Sequence, residues 1–265
     1  MSLGLLRFSM ALVFLFFIKL KLAPGEKLKI RDIPLLFGAG LSGVTLYFFF
    51  ENNGVSLITA SEASIAVGCI PVFTMTADWL REKIADSPSH SGIRARQWLG
   101  TFISIAGVWL VAGVSLAISG SVKGYVYMIG AAASWVSYSF LTRPLFVRCS
   151  RIHIVFWQTV SGFICFIPFA AMEFSNWGTA SVPVILHLTF LGLCCSALGY
   201  LFYATALETL GAPVCAIFIN LIPVVTVIGG FIIMGDRLAP LQWFGAALVI
   251  GGVYLSMWEK RKLKG

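Results

Sequence analysis

The stretch APVCAIFINLIPVVTVIGGFIIM, residues 212–234, contains 23 residues and no charged side chain. As a helix it would be about 34 Å long, enough to cross a hydrocarbon core of about 30 Å. The stretch therefore predicts a transmembrane helix. Apolar runs of about 18–25 residues, the length range of such helices, recur on both sides of it along the chain.

The composition fits a chain that is solvated mostly by lipid. Of its 265 residues, 58% are apolar and only 11% are charged, and the mean hydropathy is +0.91. Soluble domains carry roughly 25% charged residues, because a polar surface must cover their core. Barrel strands would alternate in polarity over roughly ten residues, which these runs do not. We therefore expect an all-α integral membrane protein.

We predict nine transmembrane helices, joined by connections that carry Pro, Gly, Asn and Ser as helix breakers. The predicted spans are residues 3–22, 33–50, 55–80, 97–117, 122–142, 152–172, 183–207, 212–234 and 241–258.

The distribution of basic residues predicts the orientation. Sixteen of the 19 Lys and Arg residues lie on one set of alternate connections and the C-terminal tail, and two lie on the opposite set. By the positive-inside rule we expect a multi-pass protein of the cell membrane with a cytoplasmic C-terminus and, with nine spans, an external N-terminus. The net charge of +8 does not indicate nucleic-acid binding, because the basic residues form no stripe with interleaved aromatics.

The two halves of the chain repeat each other. At a constant offset of 145 residues, Gln97-Trp98-Leu99-Gly100 and Gly107-Val108 match Gln242-Trp243-Phe244-Gly245 and Gly252-Val253. This divides the chain into a first repeat of four helices (1–117) and a second of five (118–265). In the predicted orientation the matching spans run in opposite directions. Such inverted repeats are typical of secondary transporters.

Two prolines occupy matching positions in the repeats, Pro71 and Pro223. Each removes a backbone hydrogen bond, so the helix should be weakest near Val67 and Ile219. Each weak point is either a static kink or a place where the helix flexes during gating.

A wider pattern of residues extends over essentially the whole chain. In the first half it comprises Gly54-Val55, Thr59-Ala60, Pro71, Arg81-Glu82 and Gln97, and in the second half Ala206-Leu207, Gly211-Ala212, Pro223 and Gln242. This pattern resembles the EamA-type permeases of the drug/metabolite transporter superfamily, which have ten helices in two halves. Leu6-Arg7-Phe8 resembles the start of that family's second helix, so the first helix has no match here. It is expected either upstream of Met1 or to have been lost.

Two charged residues lie one or two turns inside the outer ends of predicted spans, Arg7 and Glu62. A charge in the hydrocarbon core is costly unless it is paired or hydrated. Both lie one or two turns from the predicted outer surface, so we hypothesise an ion pair or an extracellular gate between them. A static pair, or an Arg7 that reaches the interface by itself, is the alternative.

The resemblance also implies which aromatic residues border the central cavity: Tyr47, Trp135, Tyr138, Tyr200 and Tyr203. A cavity lined in this way would suit amino acids or other amphiphilic metabolites. Asn220, one turn before Pro223, could hydrogen-bond the backbone group that the proline leaves unpaired, or it could bind a solute. Packing or lipid contact is the alternative role of each aromatic residue.

The expected function is secondary transport of a small metabolite by alternating access, with efflux left open. No enzyme motif occurs, and no Cys or His spacing indicates a metal, so we expect no enzyme activity, cofactor or metal. The expected partners are the lipid bilayer and a small solute, not nucleic acid; proton or ion coupling and a homodimer are left open. The alternative is a structural or regulatory membrane subunit that does not transport, or an inactive truncated permease.

The proposed gate makes a prediction for Glu62→Gln, which removes the charge and keeps the shape of the side chain. Solute transport should fall and its pH dependence should change, because the neutral amide cannot pair with Arg7. Transport into vesicles over a series of pH values measures both effects. An unchanged rate with an unchanged pH profile would exclude the gate.

Overall fold

The computed structural model describes residues 1–84, 95–113, 121–173, 181–235, 237 and 239–258. Every regular element in these ranges is a helix, as the composition predicted. The chain forms two compact units, each assembled from two separate segments. Unit 1 contains Met1–Asn52 and Ala133–Gly211, and unit 2 contains Asn53–Ala132 and Ala212–Gly265. Each unit thus draws on both predicted repeats, and the division at residues 117 and 118 stays a prediction.

Thirteen α-helices occur in the described ranges. They are α1 (Ser2–Leu22), α2 (Ile33–Gly40), α3 (Tyr47–Val55), α4 (Ala60–Gly68), α5 (Ile70–Ile84), α6 (Ala95–Ala112), α7 (Val122–Thr142), α8 (Arg151–Met172), α9 (Val182–Phe190), α10 (Gly199–Leu210), α11 (Ala212–Ile219), α12 (Leu221–Gly229) and α13 (Pro240–Met257). The π-helical turns Leu41–Leu46, Leu191–Leu198 and Gly230–Met234 continue α2, α9 and α12, and the 3₁₀ turns Ile30–Asp32 and Arg143–Val147 adjoin α2 and α7.

Seven helical segments in the described residues are long and apolar enough to cross a membrane. They are Ser2–Leu22, Ile30–Val55, Ser61–Ile84, Arg151–Met172, Val182–Leu210, Ala212–Ile233 and Pro240–Met257. Helices α6 and α7 occupy the other two predicted spans but do not meet this criterion of length and apolar composition. A multi-pass helical membrane protein is confirmed, and the count of nine stays a prediction.

The predicted orientation depends partly on basic residues in 85–94 and 259–265, which lie outside the described residues. The orientation therefore also stays a prediction.

The helix of the third predicted span begins at Ala60, five residues later than predicted. Thr59 is its N-cap: the Thr59 hydroxyl accepts a hydrogen bond from the Glu62 backbone N–H at 3.2 Å, and the Glu62 carboxylate accepts one from the Thr59 N–H at 2.8 Å. This reciprocal capping box satisfies two backbone donors that the first turn would otherwise leave unpaired. It fixes the start of α4 and gives Glu62 a structural role.

In unit 1, glycines let helix backbones approach closely. A Cβ atom added at Gly40, at the end of α2, would lie 2.2 Å from the backbone oxygen of Gln158 in α8. One added at Gly192, in the π-helical turn after α9, would lie 2.9 Å from the backbone oxygen of Arg7 in α1. Neither position has room for a side chain. These two contacts hold α2 against α8 and the π-helical turn against α1.

In unit 2, α6 and α13 pack antiparallel through four glycines. A Cβ atom at Gly100 would lie 2.4 Å from the Gly252 oxygen, and one at Gly252 would lie 2.5 Å from the Gly100 oxygen. Gly107 and Gly245 meet in the same reciprocal way, at 2.6 and 2.8 Å. Small residues of this kind are what lets membrane helices gain van der Waals contact.

Two neighbouring glycines in α13 provide a matched test of this contact. Gly252→Ala should destabilise the protein, because its Cβ would overlap the Gly100 oxygen; overpacking of this kind costs about 1–3 kcal/mol. Gly251→Ala should be neutral or stabilising, because no atom lies within 4 Å of its added Cβ and Ala favours a helix over Gly by about 1 kcal/mol. Melting temperatures in one detergent measure both. Equal shifts for the two variants would contradict the close contact.

Candidate functional site

Five aromatic residues that the sequence singled out form one cluster in unit 1. The Trp135 ring lies 5.0 Å from that of Tyr47, 5.3 Å from that of Tyr138 and 4.9 Å from that of Tyr203, between ring centroids. The Tyr200 ring lies 5.8 Å from that of Tyr138. Tyr47 directly follows the π-helical turn Leu41–Leu46, and Tyr200 lies two residues after the end of the turn Leu191–Leu198. Such turns locally rewind a helix and are frequent at functional sites.

Arg7 lies beside this cluster on α1. Its guanidinium carbon is 4.8 Å from the centre of the Phe48 ring and 5.5 Å from that of Phe8, within the range of cation–π attraction. Its Nε atom donates a hydrogen bond to the hydroxyl of Ser196. No described acidic group lies within ion-pair distance of Arg7, so this cation is held by neutral groups.

Glu51 places an acidic group near the same cluster. The Tyr47 hydroxyl, one turn earlier on α3, donates to Glu51 Oε1 at 3.0 Å. The positive charge of Arg7 is near enough to act on Glu51 and on Tyr200. In the sequence, Glu51 lies just beyond the predicted span 33–50, in a polar outer connection where contact with a solute and loop solvation explain it equally well. The signal that could have found it is its helical i,i+4 spacing from Tyr47.

Two buried donors in the cluster have no hydrogen-bond partner among the described residues, the indole Nε1–H of Trp135 and the hydroxyl of Tyr138. Their neighbours differ: the Tyr200 hydroxyl donates to the Gly43 carbonyl at 2.6 Å, and the Tyr203 hydroxyl bonds that of Ser139 at 2.9 Å. An unpartnered buried donor costs about 1–3 kcal/mol. The two donors therefore keep unused hydrogen-bonding capacity inside the cluster.

The cluster combines a guanidinium, a carboxylate, two unpartnered donors and aromatic rings in one unit. Arg7, Tyr47, Glu51, Trp135 and Tyr203 are only partly buried, so part of each side chain stays accessible. These groups can bind a small molecule that has both an acidic and a basic group, while the rings contact its apolar part.

Glu62 and Asn220, the other predicted polar residues, lie in unit 2. The Glu62 carboxylate is buried, and in addition to its bonds to Thr59 it accepts a hydrogen bond from the Tyr125 hydroxyl at 2.6 Å. Arg7 belongs to unit 1, and its ion pair with Glu62 stays a prediction. Asn220 is fully buried and its amide donates to the Ser104 hydroxyl at 2.7 Å, whereas its Oδ1 has no partner among the described residues.

Both spans that contain the matching prolines are interrupted. Helix α4 ends at Gly68 and α5 begins at Ile70; α11 ends at Ile219 and α12 begins at Leu221. Pro71 and Pro223 follow the two interruptions within three residues and cannot donate a backbone hydrogen bond across them. The interruptions meet in unit 2, since a Cβ at Gly68 would lie 3.7 Å from Asn220 Oδ1. Whether either span flexes stays a prediction.

Comparison with known proteins finds relatives that are named as transporters. An uncharacterized transporter of Archaeoglobus fulgidus is 27% identical over 87% of this chain and 80% of its own length. A probable terminal-alkyne amino-acid exporter of Streptantibioticus cattleyicolor is 26% identical over 85% of this chain and 73% of its own.

A solved crystal structure shares the fold, with a TM-score of 0.74 and 18% identity over 97% of this chain and 87% of that one. The model of the EamA-like transporter family matches residues 1–113 and 122–258. These two matches cover nearly all of the sequence, and the family match agrees with the pattern of glycines and prolines described above. This chain therefore belongs to the EamA-like transporter family.

Proposed function

We propose that this protein is a secondary permease for an amino-acid-like or similarly amphiphilic metabolite, which binds at the Arg7 site of unit 1. The observation that carries the proposal is the environment of Arg7. Its guanidinium lies within a membrane-spanning helix, is only partly buried, and contacts Phe48, Phe8 and the neutral Ser196. A cation without a described acidic partner in such a segment favours an anionic group of a solute as its counter-ion.

The neighbouring groups suggest how the solute is oriented. A carboxylate bound to Arg7 could also accept hydrogen bonds from the Trp135 indole and the Tyr138 hydroxyl, the two donors that lack partners. An ammonium group of the same solute would be attracted by Glu51 and by the aromatic ring faces. The relative from Streptantibioticus cattleyicolor, named as an amino-acid exporter, supports this solute class and favours export as the direction.

Alternating access by two inverted repeats is supported by reciprocal contacts between equivalent residues. Gly100 and Gly245 are 145 residues apart, as are Gly107 and Gly252. The repeat therefore makes the Gly100–Gly252 contact equivalent to the Gly245–Gly107 contact across α6 and α13. A two-fold axis between repeated segments produces this pattern. Gly68 and Asn220, 152 residues apart like Pro71 and Pro223, meet each other directly. In this proposal the two interrupted spans flex as access changes sides.

Tyr138→Phe and Tyr200→Phe form a matched pair that tests the solute site. Tyr138→Phe removes a hydroxyl that has no described protein partner, so stability should be kept or improved, while the KM for the solute rises by about two- to tenfold. Tyr200→Phe removes the hydrogen bond to the Gly43 carbonyl, so the melting temperature should fall. Proteoliposome transport and thermal unfolding measure these effects. A Tyr138→Phe variant with unchanged KM and lower stability would contradict a role in binding.

The Arg7→Gln variant tests whether the positive charge of Arg7 is needed for transport. Export of the transported amino acid should fall by at least about tenfold, because a charged hydrogen bond contributes about 1.5–3 kcal/mol, and Arg7→Lys should recover part of the rate. Arg31→Gln, an exposed change in the same unit, serves as control and should transport normally.

The assay also separates the proposal from its alternative. No transport by the unaltered protein for any amino acid or small amphiphile would favour a structural or regulatory subunit. Transport that persists in Arg7→Gln would retain the permease and reject the site.

A further inference from the structure

A second cluster of reactive side chains lies near the C-terminal end of α1, whereas Arg7 lies in the N-terminal half of that helix. At this end the connection after α1 meets the start of α8. It consists of Glu26, Cys149 and His153, and their ligand-type atoms all lie within 4.8 Å of one another. All three residues belong to unit 1. Cys149 and His153 are four residues apart around the N-cap Ser150, so the first turn of α8 brings both to one place.

His153 is held in this cluster with an unsatisfied ring nitrogen. The side chain is 1% exposed, and Nδ1 is buried without a hydrogen-bond partner among the described residues. Nδ1 faces Glu26 Oε2 at 3.8 Å, which is beyond hydrogen-bond distance. With its proton on Nε2, the imidazole presents a lone pair to the centre of the cluster.

The surrounding contacts hold the other two residues. The Ser150 backbone N–H donates to Glu26 Oε1 at 2.9 Å, and the Ser150 hydroxyl donates to Oε2. The Cys149 sulfur lies 3.8 Å from Oδ2 of Asp32, a buried carboxylate whose Oδ1 binds Arg148 at 2.9 Å. Ser150 therefore fixes the Glu26 carboxylate in the cluster, and a carboxylate oxygen of Asp32 lies near the Cys149 thiol.

We propose that Glu26, Cys149 and His153 bind a zinc ion, with Asp32 or a water molecule as the fourth ligand. A thiolate, an imidazole and a carboxylate are the three ligand types that zinc takes in proteins. Ligand atoms around tetrahedral zinc lie about 3.4–3.8 Å apart, so closing the cluster by about 1 Å would complete the site. The 3.8 Å separation of Nδ1 and Oε2 exceeds the N–O separation across tetrahedral zinc, about 3.4 Å, by less than this closure.

The charge balance also favours a divalent cation of this kind. A thiolate and one carboxylate neutralise Zn²⁺, and the neutral imidazole adds no charge. A thiolate ligand disfavours the hard cations Mg²⁺ and Ca²⁺, which prefer oxygen. The bound ion would join the connection between α1 and α2 to the connection between α7 and α8. It would thereby hold the adjoining helix ends together.

Zinc binding can be measured on the purified full chain with the affinity tag removed, because a polyhistidine tag would itself bind metal. After chelation and readdition of zinc, elemental analysis should find one tightly bound zinc per chain. Cys149→Ser and Glu26→Gln should each weaken zinc affinity at least about tenfold, the minimum expected for altering a metal's ligand shell. Cys194→Ser, a change of an exposed cysteine outside the cluster, should bind zinc like the unaltered protein.

A second measurement needs no variant. In the unaltered protein, zinc should protect Cys149 from a thiol-alkylating reagent and leave Cys194 unprotected, as read by peptide mass mapping. Absence of tight zinc binding would overturn the proposal and leave a His153–Glu26 ion pair as the role of the cluster. Zinc binding that survives both Cys149→Ser and Glu26→Gln, or fails to protect Cys149, would also overturn it.

Discussion

The structure depends on helices that approach closely enough for their backbones to touch. In lipid the hydrophobic effect does not hold one apolar helix against another, so van der Waals contact and hydrogen bonds must do so. The reciprocal contacts of Gly100 with Gly252 and of Gly107 with Gly245 supply this in unit 2, and Gly40 and Gly192 supply it in unit 1. Replacing any of these glycines by a residue with a side chain would push the helices apart. The abundance of glycine in the chain is therefore a packing requirement at these positions.

Close packing also explains how polar groups can be kept inside such a fold. Tyr138 is fully buried, and its ring fills the space that a side chain at Gly43 would need, 2.4 Å from the added Cβ. The ring is thus fixed by packing, while its hydroxyl has no described partner. Arg7 is fixed similarly, between aromatic rings and Ser196, with no described acid at ion-pair distance. Groups that are already held rigidly lose little further freedom when they bind a partner, which lowers the entropic cost of binding.

Much of the fold could be predicted from the sequence, because the length of an apolar run sets the length of a spanning helix. The predicted start of the third span was wrong, because a local polar interaction, the Thr59–Glu62 capping box, sets the start of the helix. The aromatic cluster followed from family resemblance, whereas the role of Glu51 was left open, although its i,i+4 spacing from Tyr47 was a local signal. The cluster of Glu26, Cys149 and His153 could not be predicted, since no local pattern encodes where a loop returns 123 residues later. The two units likewise combine distant segments.

The central claim is that Arg7 and the aromatic cluster of unit 1 bind the transported solute. A structure of the protein in lipid, determined with an amino acid that it transports, tests this most directly. In that structure an acidic group of the solute should lie at hydrogen-bond distance from the Arg7 guanidinium, with the Tyr138 hydroxyl or the Trp135 indole bound to the same group. A solute bound away from this cluster, with Arg7 paired instead to a carboxylate of the protein, would contradict the claim.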